Sequence, residues 1–277
     1  MTTRIDYRIA DFTEIADEFA GQASLVHLDS PWAAPARYGG RGVDYRTWPI
    51  TEDALSDFPE SELERDEIDT TRFVSELIDV AMDCLEDGGW LIADGDSYAT
   101  PRIEAYLRSE YGEARINDQN GRPYTGGGFR KQGRVCYHTK SGEPDCSTTG
   151  KYGIEAGYPI IFATKGETDR TLPESVWQPA RHPRWNEPTE EYGQGTVKPV
   201  SPYRVWMDAL VEPGELVLAP CAGSGPALIA AEQLWDTQAR AVGIDVTETA
   251  KQAYETRRNA VIAPDHQETL GTISDHA

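Results

Sequence analysis

The chain has 277 residues, of which 26 are basic and 47 are acidic, so its formal net charge is −21. This length fits one large α/β domain or two small ones. The sequence contains no run of about 18 apolar residues, which argues against a membrane span, and its first residues lack the apolar core of a secretion signal.

Two strands that each end at an acid are predicted in the N-terminal part. Residues 6–10 have the pattern of a brief strand that runs to Asp11, and residues 12–19 have that of a short amphipathic helix. Residues 24–28 form a second predicted strand, which runs directly into Asp29-Ser30-Pro31-Trp32. Taken alone, this tetrapeptide is also compatible with an ordinary strand-to-turn junction.

A long loop is predicted to follow, because residues 33–66 interleave arginines with aromatic residues, prolines and glycines. Long loops in compact domains are often functional. Arg37 and Arg41 are therefore candidates for contact with phosphates, and a solvated loop is the equally weighted alternative.

The next predicted elements are a helix, a strand and another helix. Residues 71–86 carry apolar side chains at helical spacing, and Gly88-Gly89 is expected to end this helix. Residues 90–94 form a strand that ends at Asp94. Asp94 and Asp96 either line a site at the edge of the sheet or cap the helix predicted over residues 101–111.

A glycine-rich and locally basic segment covers residues 117–152. In so acidic a chain it is the best candidate for contact with nucleic acid, with a hairpin of incidental charge as the alternative. The candidate contact residues are Arg122, Arg130, Lys131 and Arg134.

A strand, a proline-rich stretch and a helix are predicted next. The strand covers residues 158–166, and the stretch at 167–197 contains tryptophans, arginines and a histidine. Lys198-Pro199 then precedes a helix predicted from about residue 203 to 211.

The most informative stretch is a strand, a glycine loop and a helix near the C-terminus. Residues 216–219 predict a buried strand, which leads into Pro220-Cys221-Ala222-Gly223-Ser224-Gly225 and an alanine-rich helix. The glycines allow the backbone to approach a ligand, and the helix N-terminus points toward it. A further strand over residues 239–245 ends at Asp245, where a carboxylate can accept hydrogen bonds from ribose hydroxyls.

These motifs resemble those of the DNA amino-methyltransferases, which use S-adenosylmethionine to methylate adenine N6 or cytosine N4. Pro220, Gly223, Ser224 and Gly225 match the family's cofactor loop, whereas Ala219 stands where the family has an acid. The resemblance implies that the cofactor is bound by Asp11, Lys198, Ala219, Pro220, Cys221, Gly223, Ser224, Gly225 and Asp245.

The tetrapeptide at 29–32 resembles the family's catalytic motif, with Ser30 in place of its first proline. Alignment on Pro31-Trp32 puts Asp29 at the position that discriminates between bases, and this favours adenine. Asp29 would then orient the amino group while Trp32 stacks on a base that has left the duplex. No metal is required by this chemistry. Cytosine N4, an RNA substrate and an inactive homologue are the alternatives.

The expected fold is α/β, a Rossmann-like methyltransferase with a doubly wound, mostly parallel sheet. The catalytic motif precedes the cofactor motif, which resembles the circularly permuted β class of the family. We expect a single methyltransferase domain over 1–277, with 117–152 and 167–197 as candidate DNA-recognition insertions. The strands that end at Leu28 and Ala219 should be neighbours in the sheet.

Double-stranded DNA is the expected partner, and a cognate restriction endonuclease and a homodimer are left open. Acidic surfaces repel phosphates, but the many acids and only six lysines resemble proteins of halophiles. At molar salt the Debye length falls to ~3 Å, so the net charge does not exclude DNA.

The four cysteines are predicted to be reduced and structural, which is typical of a cytoplasmic protein. Cys136, His138 and Cys146 could join a metal site, but their spacing matches no usual ligand pair, so packed cysteines are favoured.

Overall fold

The computed structural model describes residues 4–29, 74–95, 100–113, 125–145, 156–194 and 197–262. The strands are β1 (Arg4–Ile9), β2 (Ala23–Leu28), β3 (Leu85–Asp94), β4 (Gly128–His138), β5 (Gly157–Thr164), β6 (Trp177–Arg181), β7 (Leu216–Pro220) and β8 (Arg240–Asp245). The α-helices are α1 (Phe12–Ile15), α2 (Val74–Cys84), α3 (Thr100–Glu110), α4 (Ser201–Leu210), α5 (Pro226–Trp235) and α6 (Glu248–Ile262). Short 3-10 helices cover Ala16–Phe19, Pro183–Trp185, Thr189–Tyr192 and Asp236–Gln238.

All of these strands belong to one sheet, in the order β1-β8-β7-β2-β3-β5-β4-β6. The first five strands in this order are parallel, β5 runs antiparallel to both of its neighbours, and β6 pairs in parallel with β4. The expectation of a doubly wound, mostly parallel sheet is therefore confirmed.

Helices cover the sheet on both faces, because central parallel strands expose apolar side chains on both sides. Every residue of β2 and of β7 is buried. On one face α1, α2 and α3 contribute side chains such as Phe12, Ile78 and Leu107 to the core, and on the other α4, α5 and α6 contribute Trp206 and Leu228 among others. No described helix is long and apolar enough to cross a membrane.

The glycine pair 88–89 does not end a helix, contrary to the prediction. Helix α2 ends at Cys84, and strand β3 starts at Leu85 and runs through both glycines. Gly88 donates to the carbonyl of Lys165 (2.7 Å), and Gly89 accepts from the amide of Lys165 (3.0 Å). A Cβ at Gly89 would lie 2.9 Å from the carbonyl oxygen of Ala23, so the close approach of β2 requires glycine here.

The segment predicted as an insertion at 117–152 contains a strand of the main sheet. Its residues 128–138 form β4, which pairs with β5 on one side and β6 on the other. Apolar residues from this strand, such as Phe129 and Val135, are buried against the helices. The strand was not predicted because glycines and charged residues alternate with these buried residues along the segment.

Candidate active site

A crevice is expected where β7 and β2 lie side by side. The chain continues from β7 to β8 on one side of this pair, and from β2 to β3 on the other side. Ligands of doubly wound sheets bind at such a switch point, outside the carboxyl ends of the strands. The predicted adjacency of these two strands is confirmed, since Val26 pairs with Leu218 in a parallel register.

The glycine loop lies at this switch point and joins β7 to α5. Cys221, Gly223 and Gly225 all have positive φ angles, of 55°, 51° and 65°. A Cβ at Gly225 would lie 2.4 Å from the ring of Tyr254, so glycine permits both the backbone conformation and the packing of α6. The loop thereby places the N-terminus of α5 at the carboxyl end of β7, beside the crevice.

The residues before this loop lie deeper than those within it. Ala219 is 1 % exposed and contributes to the core beneath α4 and α5, and Pro220 is buried at the end of β7. Burial raises the pKa of the Cys221 thiol, with the charge of Asp245 as a further cause. The Cys221 thiol is therefore expected to be uncharged at physiological pH.

Asp245 closes the loop from the end of β8. Its Oδ2 accepts a hydrogen bond from the amide of Gly223 (3.1 Å), and its Oδ1 accepts from the amide and the hydroxyl of Thr247 (both 3.2 Å). The carboxylate remains partly exposed. Next to it Val246 is 57 % exposed, and Ile9, on the adjacent strand, is 44 % exposed.

Val246 and Ile9, here called the apolar step, thus leave two exposed apolar side chains where β8 and β1 end beside Asp245. We did not single out either residue from the sequence. The sequence feature that could have identified Val246 is its position directly after Asp245, the acid that ends β8.

Asp11 lies near this step, because it follows β1 and β1 pairs with β8. Its Oδ1 accepts from the amide (3.0 Å) and the hydroxyl (2.7 Å) of Thr13, and it caps α1.

A buried cluster of charges lies at the ends of β2 and β3. The ammonium of Lys198 donates to Asp29 Oδ1 and, at 2.8 Å, to Asp94 Oδ2. Asp94 is fully buried and the Lys198 side chain is 4 % exposed, whereas the Asp29 side chain is 25 % exposed. Asp29 is thus the group of the three that a ligand in the crevice can reach most readily.

Asp94 is the hub of this cluster. Its Oδ2 also accepts from the hydroxyl of Tyr203 (2.6 Å) and lies 3.1 Å from His27 Nε2, which donates to the carboxylate. The hydroxyl of Tyr203 donates its hydrogen bond to Asp94, so its oxygen accepts one from the hydroxyl of Tyr158 (2.7 Å). Asp94 therefore lines the site, as the first of the two expected alternatives has it, while Asp96 and the residues directly before α3 lie outside the described ranges.

The other oxygen of Asp94, Oδ1, is buried and has no hydrogen-bond partner among the described residues. An unpaired carboxylate oxygen in such a place is costly unless a donor or a positive charge lies nearby. The Lys198 ammonium, which contacts the other oxygen of the same carboxylate, supplies that positive charge.

Burial and charge act in opposite directions on these groups. Burial raises the pKa of Asp29 despite the nearby Lys198 ammonium. For Asp94, burial acts against ionisation, but Lys198 and His27 outweigh it and lower the pKa to about 2. Burial likewise opposes the charged form of Lys198, and the carboxylates of Asp29 and Asp94 overcome it and raise its pKa. The cluster therefore holds one ammonium between two carboxylates.

Arg257 is a buried residue of this region that sequence reasoning missed. It lies on α6 and is 0 % exposed, and it contacts the glycine loop through Ser224 Oγ (3.2 Å) and the Lys198 segment through the Lys198 carbonyl (2.7 Å). An arginine on a polar helix carries no signal of such burial, since its partners are distant in the sequence.

Of the residues predicted to contact DNA, the structure describes Arg130, Lys131 and Arg134. Arg130 is 3 % exposed and donates to Thr164 Oγ1 (2.8 Å) and to the carbonyl of Gly126 (2.6 Å), so its assignment as a DNA contact is corrected to a structural role. Lys131 is exposed and Arg134 is half-buried. The remaining predicted residues Ser30, Pro31, Trp32, Arg37, Arg41 and Arg122 lie outside the described ranges.

The alternative metal site involves Cys146, which also lies outside the described ranges. Within those ranges, no group of three or more histidine, cysteine, aspartate or glutamate residues is arranged to hold a metal ion.

The sequence matches no protein-family model and no curated protein. Solved structures nevertheless share the fold. The M1.HpyAVI–SAM complex superposes with a TM-score of 0.58 at 13% identity, over 92% of this chain and 99% of its own. The PvuII DNA methyltransferase, which is cytosine-N4-specific, gives 0.59 at 13% identity over 94% of each chain.

A candidate DNA modification methylase from Thermus thermophilus, in complex with S-adenosyl-L-methionine, gives a TM-score of 0.54 at 15% identity over 93% of each chain. Such low identities establish the fold alone. The chain therefore has the Rossmann-like α/β fold that these structures share.

Proposed function

We propose that this protein is an S-adenosylmethionine-dependent methyltransferase that methylates an exocyclic amino group in DNA, with adenine N6 as the preferred target. The observation that carries the proposal is the position of Asp29. It ends the strand next to the one that leads into the glycine loop, so the acceptor of amino protons adjoins the cofactor loop.

The residues of the crevice fit the proposed cofactor. When bound, S-adenosylmethionine supplies a methyl group on a positively charged sulfur. Asp245 offers its carboxylate to ribose hydroxyls, and Val246 and Ile9 offer apolar surface to the adenine ring.

Asp29 acts on the target amino group in this proposal. The lone pair of an exocyclic amino nitrogen is delocalised into the base, so the nitrogen is a weak nucleophile. A carboxylate that accepts a hydrogen bond from one of the amino N–H groups fixes the orientation of the amino group. It also favours the tetrahedral nitrogen that is needed for attack on the methyl group. Lys198 must yield part of its contact with Asp29 when the amino group arrives, and Asp94 keeps the ammonium in place.

The order of the motifs supports the permuted, β-class interpretation. Asp29 precedes the glycine loop in the chain, and the two lie at adjacent strand ends. Moving one connection would exchange the order of the halves without altering this geometry.

DNA is expected to approach the edge of the sheet at which Asp29 lies. The carboxyl ends of β4 and β6 are at the same edge, since both strands run parallel to β3. There the guanidinium of Arg184 lies 4.8 Å from the ring centre of Trp185, whose Nε1 donates to Asp145 (2.7 Å). This stacked pair, within the predicted 167–197 segment, offers a cation and a ring to a nucleic acid.

Cytosine N4 is the second candidate target. A cytosine-N4-specific enzyme is among the structures that share the fold, so the fold is compatible with this base and does not by itself identify the target. Adenine is preferred on the alignment of Asp29, rather than Ser30, with the discriminating position.

The test is nucleoside mass spectrometry of duplex DNA incubated with the protein and methyl-labelled cofactor in about 1 M potassium chloride, where repulsion by the acidic surface is screened. Label in N6-methyladenine would support the proposal, and label in N4-methylcytosine would support the second candidate. Label that enters RNA but not DNA, or neither from a folded protein, would contradict both.

A further inference from the structure

A buried arginine joins three segments that surround the proposed cofactor site. The guanidinium of Arg257 donates through Nη1 to Ser224 Oγ (3.2 Å) and through Nη2 to the carbonyl of Lys198 (2.7 Å). Its Nε and Nη2 also donate to the two carboxylate oxygens of Glu187 (2.7 and 3.0 Å). All three nitrogens of the guanidinium are therefore used.

Two of the segments that Arg257 contacts belong to the two halves of the proposed reaction centre. Ser224 belongs to the glycine loop, and the side chain of Lys198 contacts Asp29. One guanidinium thus holds the loop that would carry the methyl donor and the backbone of the lysine that meets the amino-group acceptor. The planar, rigid fork of arginine suits this task because it fixes distances between its acceptors.

Glu187 fixes the orientation of the guanidinium. Its side chain is only 13 % exposed and makes the two parallel contacts of a bidentate pair. Tyr192 donates to the same carboxylate (3.3 Å), so the segment that contains Glu187 and Tyr192 holds the arginine from the side opposite the loop.

We propose that Arg257 is a positioning residue that sets the glycine loop and Lys198 relative to each other, and so aligns the methyl donor with the acceptor held by Asp29. This inference rests on the proposed function, since it assumes that the glycine loop binds S-adenosylmethionine. A lysine at 257 cannot reach all of these acceptors from a single ammonium group.

Helix α6 offers a matched control in the next residue. Arg258 makes its own bidentate pair with Glu232 (Nε to Oε2, 2.6 Å), but it is 39 % exposed, and within the described residues it makes no hydrogen bond to the loop or to Lys198. Arg257→Lys and Arg258→Lys therefore each alter an arginine–glutamate pair, and only the first alters the site.

The first measurement is the affinity for S-adenosylmethionine by isothermal titration calorimetry, with near-ultraviolet circular dichroism to verify folding. We expect Arg257→Lys to weaken binding roughly 10-fold or more and Arg258→Lys to leave it within about 2-fold, which corresponds to a difference of about 1 kcal/mol or more. Equal affinities in the folded Arg257→Lys variant and the wild type would overturn the inference. An equal loss in both variants would also overturn it.

A double-mutant cycle separates positioning from general stability. Ser224→Ala should weaken cofactor binding in the wild type and have a smaller effect when Arg257→Lys is already present, because the contact between the two is then absent. Additive effects would contradict the proposed coupling. Where Arg257→Lys fails to fold, Glu187→Gln is compared with Glu232→Gln by the same criteria.

The binding measurement also separates this inference from the proposed reaction. A wild type that binds S-adenosylmethionine but methylates no nucleic acid would refute the proposed function, and the affinities of the variants would still decide the role of Arg257. A folded wild type that does not bind S-adenosylmethionine would refute both.

Discussion

Lys198 Nζ lies 2.8 Å from Asp94 Oδ2, although the two residues are 104 positions apart in the chain. Both side chains are almost completely buried, and the same ammonium also contacts Asp29. Removal of one partner from a buried pair leaves an uncompensated charge and is strongly destabilising. The relationship therefore ties the end of β3 to the segment that precedes α4, and it places a positive charge beside the proposed acceptor.

Replacement of Asp29 should separate catalysis from cofactor binding. Asp29→Ala removes the acceptor of the amino protons and should lower the rate of methyl transfer by roughly 100-fold or more, as loss of one catalytic hydrogen-bonding group commonly does. Lys198 keeps its contact with Asp94, so binding of S-adenosylmethionine should change little. Single-turnover kinetics and calorimetry measure the two effects, and equal losses in both would argue against the assigned role.

The pH dependence of transfer should report the ionisation of Asp29. Burial raises its pKa, and the charge of Asp94 raises it further, so activity should fall with decreasing pH at a value above the ordinary 3.8. Asp94→Asn removes that negative charge, which should lower the pKa of Asp29 and move the acid limb of the pH–rate profile to lower pH. The limb is measured by single-turnover transfer at each pH.

Tyr203→Phe is the control for this shift, because it removes a hydrogen bond to Asp94 and keeps the carboxylate charge. It should not move the acid limb to lower pH. A limb that moves to higher pH in a folded Asp94→Asn variant would show that Asp94 does not oppose the ionisation of Asp29.

Two glycines with the same backbone conformation should differ in their tolerance of alanine. Gly225 and Gly193 have φ angles of 65° and 68°, so Gly→Ala should cost about 1 kcal/mol or more at each through backbone strain. At Gly225 the added Cβ would also meet the ring of Tyr254, whereas at Gly193 it would meet open space. Overpacking should add roughly 1–3 kcal/mol at Gly225, which urea unfolding of the two variants would detect. Equal costs would indicate that Tyr254 moves aside freely.

Salt should stabilise the folded chain. A net charge of −21 opposes the compact state, and the Debye length falls from ~10 Å at 0.1 M to ~3 Å at 1 M salt. The Tm should therefore rise from low to molar potassium chloride, and by more than in sucrose of equal osmolality. A Tm that is unchanged or lower at high salt would argue against adaptation to salt.

Much of the fold could be predicted from the sequence because the central strands are buried on both faces. Apolar runs such as 24–28 and 216–219 bounded by turns or acids locate these strands, and the glycine loop identifies the switch point. The predicted bounds differ from the observed ones by few residues there. At Gly88 the same reasoning failed, because a pairing with Lys165 decides the conformation and such a distant partner leaves no local pattern.

The candidate site was predictable where a strand end carried an acid, as at Asp29 and Asp245. The roles of Asp94 and Arg257 could not be assigned, since both depend on partners far away in the sequence. Arg130 shows the opposite error. Its charge suggested an exposed contact, but the side chain is buried and donates to the hydroxyl of Thr164 and to two carbonyls inside the fold.

The antiparallel course of β5 has a consequence for how new specificities can arise. Because β5 returns the chain across the sheet, β4 and β6 both finish at the rim where Asp29 lies. The connections that leave β4 and β6 can therefore be lengthened or exchanged without breaking the buried parallel strands that hold the reaction centre. A protein engineer who wished to redirect the proposed enzyme to another DNA sequence would graft segments at residues 139–145 and 182–186, and would keep Glu187 and Tyr192, which hold Arg257.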